Sequence, residues 1–158
     1  MTGKGKIKMK IKFDQVIAKL RQERGMTQEE LAEKLFVTRQ AVSRWEQGET
    51  MPGPETLMQL SKMFKVSVNS LLGSPYQLIC QSCGMPLVDE LLATDADGTP
   101  NEEYCRWCWQ DGQYLADCTM EEMADVCASH MGWDDPQEAK KFMLRTLPGL
   151  KRWRKQEE

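Results

Sequence analysis

Two C-x2-C pairs, Cys80/Cys83 and Cys105/Cys108, stand 21 residues apart in this 158-residue chain, and all six cysteines fall in its second half. No other feature constrains the fold as tightly. A thiol pair closed over two residues makes a tight knuckle, and two knuckles converge on one tetrahedral ion with metal–sulfur bonds of about 2.3 Å. Gly84 follows the first pair, where the knuckle needs freedom in φ. Four thiolates favour zinc or iron over hard cations. The paired spacing reads as one zinc ion per chain held by Cys80, Cys83, Cys105 and Cys108, and an iron site would use the same ligands. A disulfide framework calls for an oxidising compartment, to which nothing in the sequence points. A redox-active thiol pair calls for a βαβ setting, which the pattern lacks. Cys118 and Cys127 are nine apart, not at chelating spacing, and read as small buried hydrophobes. His130 is the only histidine and reads as structural.

The charge divides where the cysteines begin. Residues 1–78 carry 13 Lys/Arg against 8 Asp/Glu, a net of +5, and residues 79–158 carry 8 against 16, a net of −8. Within the second half, residues 79–135 hold 13 acids and a single base, Arg106, and residues 136–158 reverse to 7 bases and 3 acids. A basic half suits a polyanionic partner and an acidic block repels one. The expected layout is a basic arm over 1–12, a first module over 13–73, a linker over 74–78 and a second module over 79–158. No stretch approaches 18 consecutive apolar residues, and the basic N-terminus has no apolar run behind it, so a cytoplasmic protein with no membrane partner is expected.

Residues 1–12 alternate lysine with Gly5, Ile7, Met9 and Ile11, which suits a frayed basic arm, a short edge strand or an arm that tracks phosphates. From Phe13 the period becomes helical. Phe13, Val16, Ile17 and Leu20 mark a first helix stopped by Gly25. Thr27 with Glu30 forms a capping box for a second, whose apolar face is Leu31, Ala32 and Leu35. Thr38 caps a third, carrying Ala41, Val42 and Trp45 and ended by Gly48. Leu57, Leu60, Ser61 and Phe64 mark a fourth; Val68, Leu71 and Leu72 mark a short fifth. Each is too short to stand alone, and together they enclose one small core.

The segment TQEELAEKLFVTRQAVSRWEQGE (Thr27–Glu49) resembles the helix-turn-helix of the Xre family, the phage-repressor and Cro-like group. Gln28, Leu31, Ala32, Val37, Ala41, Val42, Trp45 and Glu46 stand where that family has them. The resemblance extends over about residues 13–73, through the pattern PxxxxLxxLxxxFxVSxxxLL. It implies a mainly α fold, with a five-helix lambda-repressor-like DNA-binding domain that acts as a dimer, and an Arg21–Glu46 pair tying the first helix to the end of the third. Phe36 departs from the pattern. The family often has Gly or Asn in that turn, where a positive φ is expected, so Phe36 is either strained or in a shifted turn.

The residues on the third helix agree with that role. Arg39, Gln40, Ser43 and Arg44 share a polar face opposite Ala41, Val42 and Trp45. Arg pairs bidentately with guanine and Gln with adenine. Gln28 and Thr38, at the starts of the second and third helices, are placed to bind phosphate with nearby N–H groups. Trp45 reads as core.

The blocks CQSCGMPLVDE, EYCRWCWQDGQY and TMEEMADVC are similar to a zinc-ribbon domain of prokaryotic proteins, found alone or beside Xre-type modules; the match covers about residues 79–153. It implies a small zinc ribbon followed by C-terminal helices. Thr119 with Glu122 forms a capping box for a helix whose face is Met120, Met123, Cys127 and Met131, and Asp135-Pro136 opens another with Ala139, Phe142, Met143 and Leu147 apolar. The methionine stripe reads as packing. The closing KRWRK reads as a basic last helical turn balancing the acidic block, with contact to DNA or nucleotide as the alternative.

The function expected is therefore a sequence-specific transcriptional regulator on double-stranded DNA, a homodimer whose zinc module takes a protein partner or effector. An enzyme is not expected, because four thiolates fill zinc's coordination and leave no open position. Two other readings share these features. An antitoxin-like protein would grip a toxin with the ribbon, and a thiol sensor would release zinc on oxidation.

Overall fold

The fold comes from a computed structural model that describes residues 13–74 and 76–154. The chain splits into two compact units between Tyr76 and Gln77. The basic arm lies outside the described residues.

Among the described residues, the first unit has five helices: α1 (Phe13–Glu23), α2 (Gln28–Leu35), α3 (Arg39–Glu46), α4 (Pro54–Phe64) and α5 (Val68–Leu71). Local chemistry sets most of their ends. The Thr27 hydroxyl accepts from the Glu30 N–H while the Glu30 carboxylate accepts from the Thr27 N–H, closing the capping box that starts α2. Thr38 caps α3 and Ser67 caps α5 through the same hydroxyl-to-N–H bond. Pro54 occupies the first turn of α4, where its missing N–H costs nothing. Arg24 donates to the carbonyls of Met63 and Phe64, satisfying the last turn of α4. One apolar stripe from each helix meets the others: Phe13, Ile17, Leu31, Ala32, Leu35, Val42, Trp45, Leu60, Phe64 and Leu71 form a single core. Trp45 lies in that core.

Phe36, at the turn between α2 and α3, is left-handed, with φ 56° and ψ 38°. Its N–H donates to the Ala32 and Glu33 carbonyls, and the ring is 92% exposed. The turn is not shifted. It keeps the positive φ that the resemblance implies and places a bulky side chain there with nothing to pack on. A Cβ in this region costs roughly 1–2 kcal/mol, part of which glycine returns as lost chain entropy. Phe36→Gly is therefore expected to stabilise the first unit by about 0.5–1 kcal/mol in a urea titration; an unchanged midpoint would mean that the turn carries no strain.

The second unit begins with short antiparallel pairs. β1 (Leu78–Ile79) pairs with β2 (Pro86–Leu87), β3 (Leu92–Thr94) with β4 (Pro100–Cys105), and β5 (Trp109–Gln110) with β6 (Gln113–Tyr114). The register of β3 on β4 jumps from Leu92↔Cys105 to Ala93↔Asn101, so β4 bulges over residues 102–104. The Asn101 side-chain oxygen takes up the N–H groups of Glu103 and Tyr104 that the bulge displaces. Its amide donates to Asp95, which also accepts from the Trp109 indole at 2.8 Å. Two helices follow, α6 (Met120–His130) and α7 (Pro136–Thr146), capped by Thr119 and Asp135.

The core of this unit surrounds Cys80, Cys105 and Cys108 with Leu87, Leu92, Ala93, Tyr104, Met123, Ala124, Met143, Leu147 and Leu150. Met120, Cys127 and Met131 pack against it, so the methionine stripe is packing. Two expectations need correction. Phe142 is 45% exposed and meets Trp133 at a tilt, ring centres 5.4 Å apart, on the outer side of α7 rather than in the core. Residues 151–154 form turns, not a last turn of helix, because Pro148 and Gly149 divert the chain after α7. Among the described residues, no helix is long and apolar enough to cross a membrane.

Candidate nucleic-acid interface and metal centre

The outward side of α3 gathers the polar residues singled out from the sequence. Arg39, Gln40 and Arg44 are exposed and Ser43 is half-buried, while Val42 and Trp45 point into the core. Ser43 accepts a hydrogen bond from the Gln47 side chain at 3.1 Å. The Arg44 guanidinium lies 4.0 Å from Glu49, an exposed pair that holds it only weakly. Among the described residues, no ion pair engages Arg39. Thr38 is exposed, its hydroxyl accepting from the Ala41 N–H at the start of α3.

The C-terminal end of α3 is held by a half-buried pair. The Arg21 guanidinium grips the Glu46 carboxylate through two hydrogen bonds of 2.6 and 3.0 Å and donates to the Met26 carbonyl at 2.6 Å. Gln28 adds a third donor to Glu46 at 2.9 Å. Its amide therefore has an internal partner that sequence reasoning did not foresee. Burial pushes the Glu46 carboxyl up, but the hydrogen bonds from Arg21 and Gln28 outweigh it and hold it below the usual range. The hydrogen bond to Glu46 raises Arg21 in turn.

In the second unit, the Sγ atoms of Cys80, Cys83, Cys105 and Cys108 all lie within 4.8 Å of one another. Cys83 and Cys105 are 3.8 Å apart. A tetrahedron of metal–sulfur bonds of about 2.3 Å has edges of about 3.8 Å, so the cluster fits a four-thiolate zinc site. The two knuckles place it. The Gly84 N–H donates back to the Cys80 carbonyl with Gly84 at φ +77°, the left-handed turn expected after the first pair. The Cys108 N–H donates to the Cys105 carbonyl, and the Cys105 N–H donates to the Cys80 sulfur at 3.3 Å. Hydrogen bonds from Cys105, Cys108 and Cys83 pull the Cys80 thiol far below its ordinary range, while those from Cys105 and Cys108 push Cys83 far above. A bound cation favours the thiolate form of all four.

The remaining candidates lie around this centre. Cys127, in α6, is half-buried, and its thiol donates to the Cys83 carbonyl at 3.6 Å. Cys118, in the loop before α6, is half-buried and accepts from Arg152 at 3.6 Å. His130 is exposed, its Nδ1 against the Val126 carbonyl and the Ser129 hydroxyl, and it is not in the four-cysteine cluster. Sequence reasoning missed an aromatic group beside the site. Tyr104 stacks on Trp109 at 4.9 Å and meets Tyr114 edge-on at 5.4 Å, and the Tyr104 and Tyr114 hydroxyls are 2.9 Å apart. Only the spacing of these rings around the second knuckle could have signalled it.

Residues 17–71 match the family described as "Helix-turn-helix", and residues 79–154 match the one described as "Putative zinc ribbon domain". The chain is similar to the HTH-type transcriptional activator BcrR of Enterococcus faecalis, with 42% identity over 62 residues covering 39% of this chain and 30% of that protein. It is similar also to the uncharacterized HTH-type transcriptional regulator YqaE of Bacillus subtilis, with 35% identity over 60 residues covering 38% of this chain and 52% of that one. It thus spans about a third to a half of the length of these relatives. A transcriptional regulator from Listeria innocua of known crystal structure is 31% identical, with 41% of this chain and 61% of that one covered at a TM-score of 0.40. The chain joins an Xre-type helix-turn-helix domain to a zinc ribbon domain, and its relatives are helix-turn-helix transcriptional regulators.

Proposed function

We propose that this protein is a sequence-specific transcriptional regulator that docks on double-stranded DNA as a homodimer and carries a structural zinc ion in its second unit. The observation that carries the reading is the polar face of α3, which projects Arg39, Gln40 and Arg44 outward from a helix pinned by Arg21 and Glu46. In this reading α3 enters the major groove. Arg39 and Arg44 reach guanine O6 and N7, Gln40 reaches adenine, and Ser43 adds a shorter contact. Thr38 and Gln28 anchor phosphates beside the first N–H groups of α3 and α2, Gln28 with the amide proton that Glu46 does not take. Two copies would read half-sites about one helical turn apart.

Cys80, Cys83, Cys105 and Cys108 are the proposed zinc ligands. A shell of four thiolates leaves the ion no open position, so it supplies folding energy and not catalysis, in keeping with a protein that is not an enzyme. The acidic block over 79–135 meets the phosphates of a duplex unfavourably. That keeps the second unit off the DNA and leaves it to a protein partner or effector in the cytoplasm.

A binding-site selection with the full chain tests the docking. Arg44→Ala is expected to relax preference at one base position by about 1–3 kcal/mol, and Gln28→Ala to weaken all sequences more evenly. An Arg44→Ala protein with an unchanged preferred sequence would overturn the placement of α3.

A further inference from the structure

Phe36 is the most exposed large apolar side chain among the described residues. It is also one of three described residues other than glycine with a positive φ, beside Lys65 and Asp111. An aspartate is at ease in that region because its short polar side chain bonds locally, and the exposed Lys65 is solvated there. A phenyl ring has neither advantage. The turn does not need it either, since its backbone hydrogen bonds to the Ala32 and Glu33 carbonyls would be kept by glycine. Neither the fold nor water accounts for the ring, and backbone strain of this kind concentrates where a chain meets its ligand. Its place in the chain points the same way. Val37 packs against the core, and Phe36 and Thr38 on either side of it are exposed. The Cα atoms of Phe36 and Thr38 lie no more than about 7 Å apart, the span of two extended residues. The ring thus stands beside the residue that caps α3 and next to the start of its polar face.

We propose that Phe36 is a specificity-determining residue of the DNA interface: its ring closes on the C5-methyl group of a thymine at the edge of the segment that α3 reads. The inference rests on the docking reading above, in which Thr38 meets a phosphate and Arg39 and Gln40 reach base edges. The apolar group that a duplex presents in its major groove is the thymine methyl, and phenylalanine is among the side chains that match it. The methyl distinguishes thymine from cytosine, so a contact to it carries sequence information that a phosphate contact does not. Burying the ring against it removes apolar surface from water only in the complex, which offsets there a strain that nothing offsets in the free protein. Phe36 brings no charge, so its contribution is independent of the counterions that phosphate contacts release.

The test is a thymine-to-deoxyuridine scan of the selected site, which removes one methyl at a time and leaves every base pair intact, read by binding of the full chain at matched salt. For the wild type, one thymine in each half-site is expected to cost about three- to fivefold in affinity when it loses its methyl, the worth of one buried methyl group. Phe36→Gly is expected to bind the thymine site more weakly, to lose the distinction between thymine and uracil at that position and to keep the wild-type salt slope. Phe36→Leu retains an apolar end and is expected to keep part of the distinction. Glycine suits the turn, so weaker binding by Phe36→Gly is not a loss of folding, and urea titration of the same preparation checks this. A wild-type chain with no preferred sequence overturns the docking reading and this inference with it. Given a preferred sequence, the same response to every lost methyl in wild type and Phe36→Gly overturns the inference alone. So does a uniform loss of affinity on all sequences, which marks a contact to the sugar-phosphate backbone. A Phe36→Gly protein that binds weakly because it dimerises less, as read by sedimentation without DNA, gives the ring to the second copy and overturns the inference as well.

Discussion

Cys105→Ser is expected to strip the metal from the second unit and to unfold it, while leaving the first unit folded. Cys105 is completely buried at the end of β4, and its N–H supports the Cys80 sulfur. Serine there removes one of four thiolates and leaves a hydroxyl among sulfurs and leucines. Little else would hold the ribbon. Among the described residues, four of its six strands are only two residues long, and Cys80, Cys105 and Cys108 are themselves part of the core. In such a unit the metal's binding free energy is folding free energy, on the order of 10–16 kcal/mol at neutral pH. The expected result is a fall from one zinc per chain to none, with loss of one of two thermal transitions. Cys118→Ser serves as the control. That sulfur only accepts from Arg152 at the edge of the site, a role that a hydroxyl can keep, so zinc content is expected to stay at one. Full zinc retention by the Cys105→Ser protein would remove Cys105 from the ligand set.

The contrast between the two units shows which features a sequence carries openly. Helix ends in the first unit are written in residues three apart, such as Thr27 and Glu30, and the same grammar marks Thr119 with Glu122. The cysteine cluster was legible for the same reason, since a C-x2-C turn is a local object and only the meeting of two such turns is not. The C-terminal segment was misread because its conformation depends on Gln81 and Ser82, far away in the chain. KRWR satisfies a helical pattern as well as a turn, and only the partners decide. Phe142 was misread because periodicity locates a helix face without saying how wide the buried part is; the chain buries Ala139, Met143 and Leu147 there and leaves Phe142 to Trp133. At Phe36 the tertiary demand of the α2–α3 turn overrode the residue's own preference for negative φ.

Glu46→Ala is expected to lower the stability of the first unit by about 3 kcal/mol, at the low end of what breaking a buried pair costs. The side chains of Arg21 and Glu46 are only 13% and 9% exposed. Removing the carboxylate leaves a guanidinium in that setting with the Met26 carbonyl as its remaining acceptor, and leaves the Gln28 amide without its partner. A helical unit of this size has only several kcal/mol of stability in all, so the thermal midpoint is expected to fall by more than about 10 °C. Replacing both partners, with Arg21→Met and Glu46→Leu together, is expected to recover most of the loss, because the desolvation of two charges disappears with them. The pair also gives the unit an acid limit. The Glu46 carboxyl titrates below its ordinary value of 4.5 in the folded state, so its contribution is complete above that value. It is lost as pH falls through the lower, folded one. Wild-type stability should therefore drop on acidification through this window more steeply than that of the Met/Leu double variant, as read by urea titrations at a series of pH values. Parallel curves, or a Glu46→Ala midpoint equal to wild type, would mean that α3 is anchored by its apolar face alone.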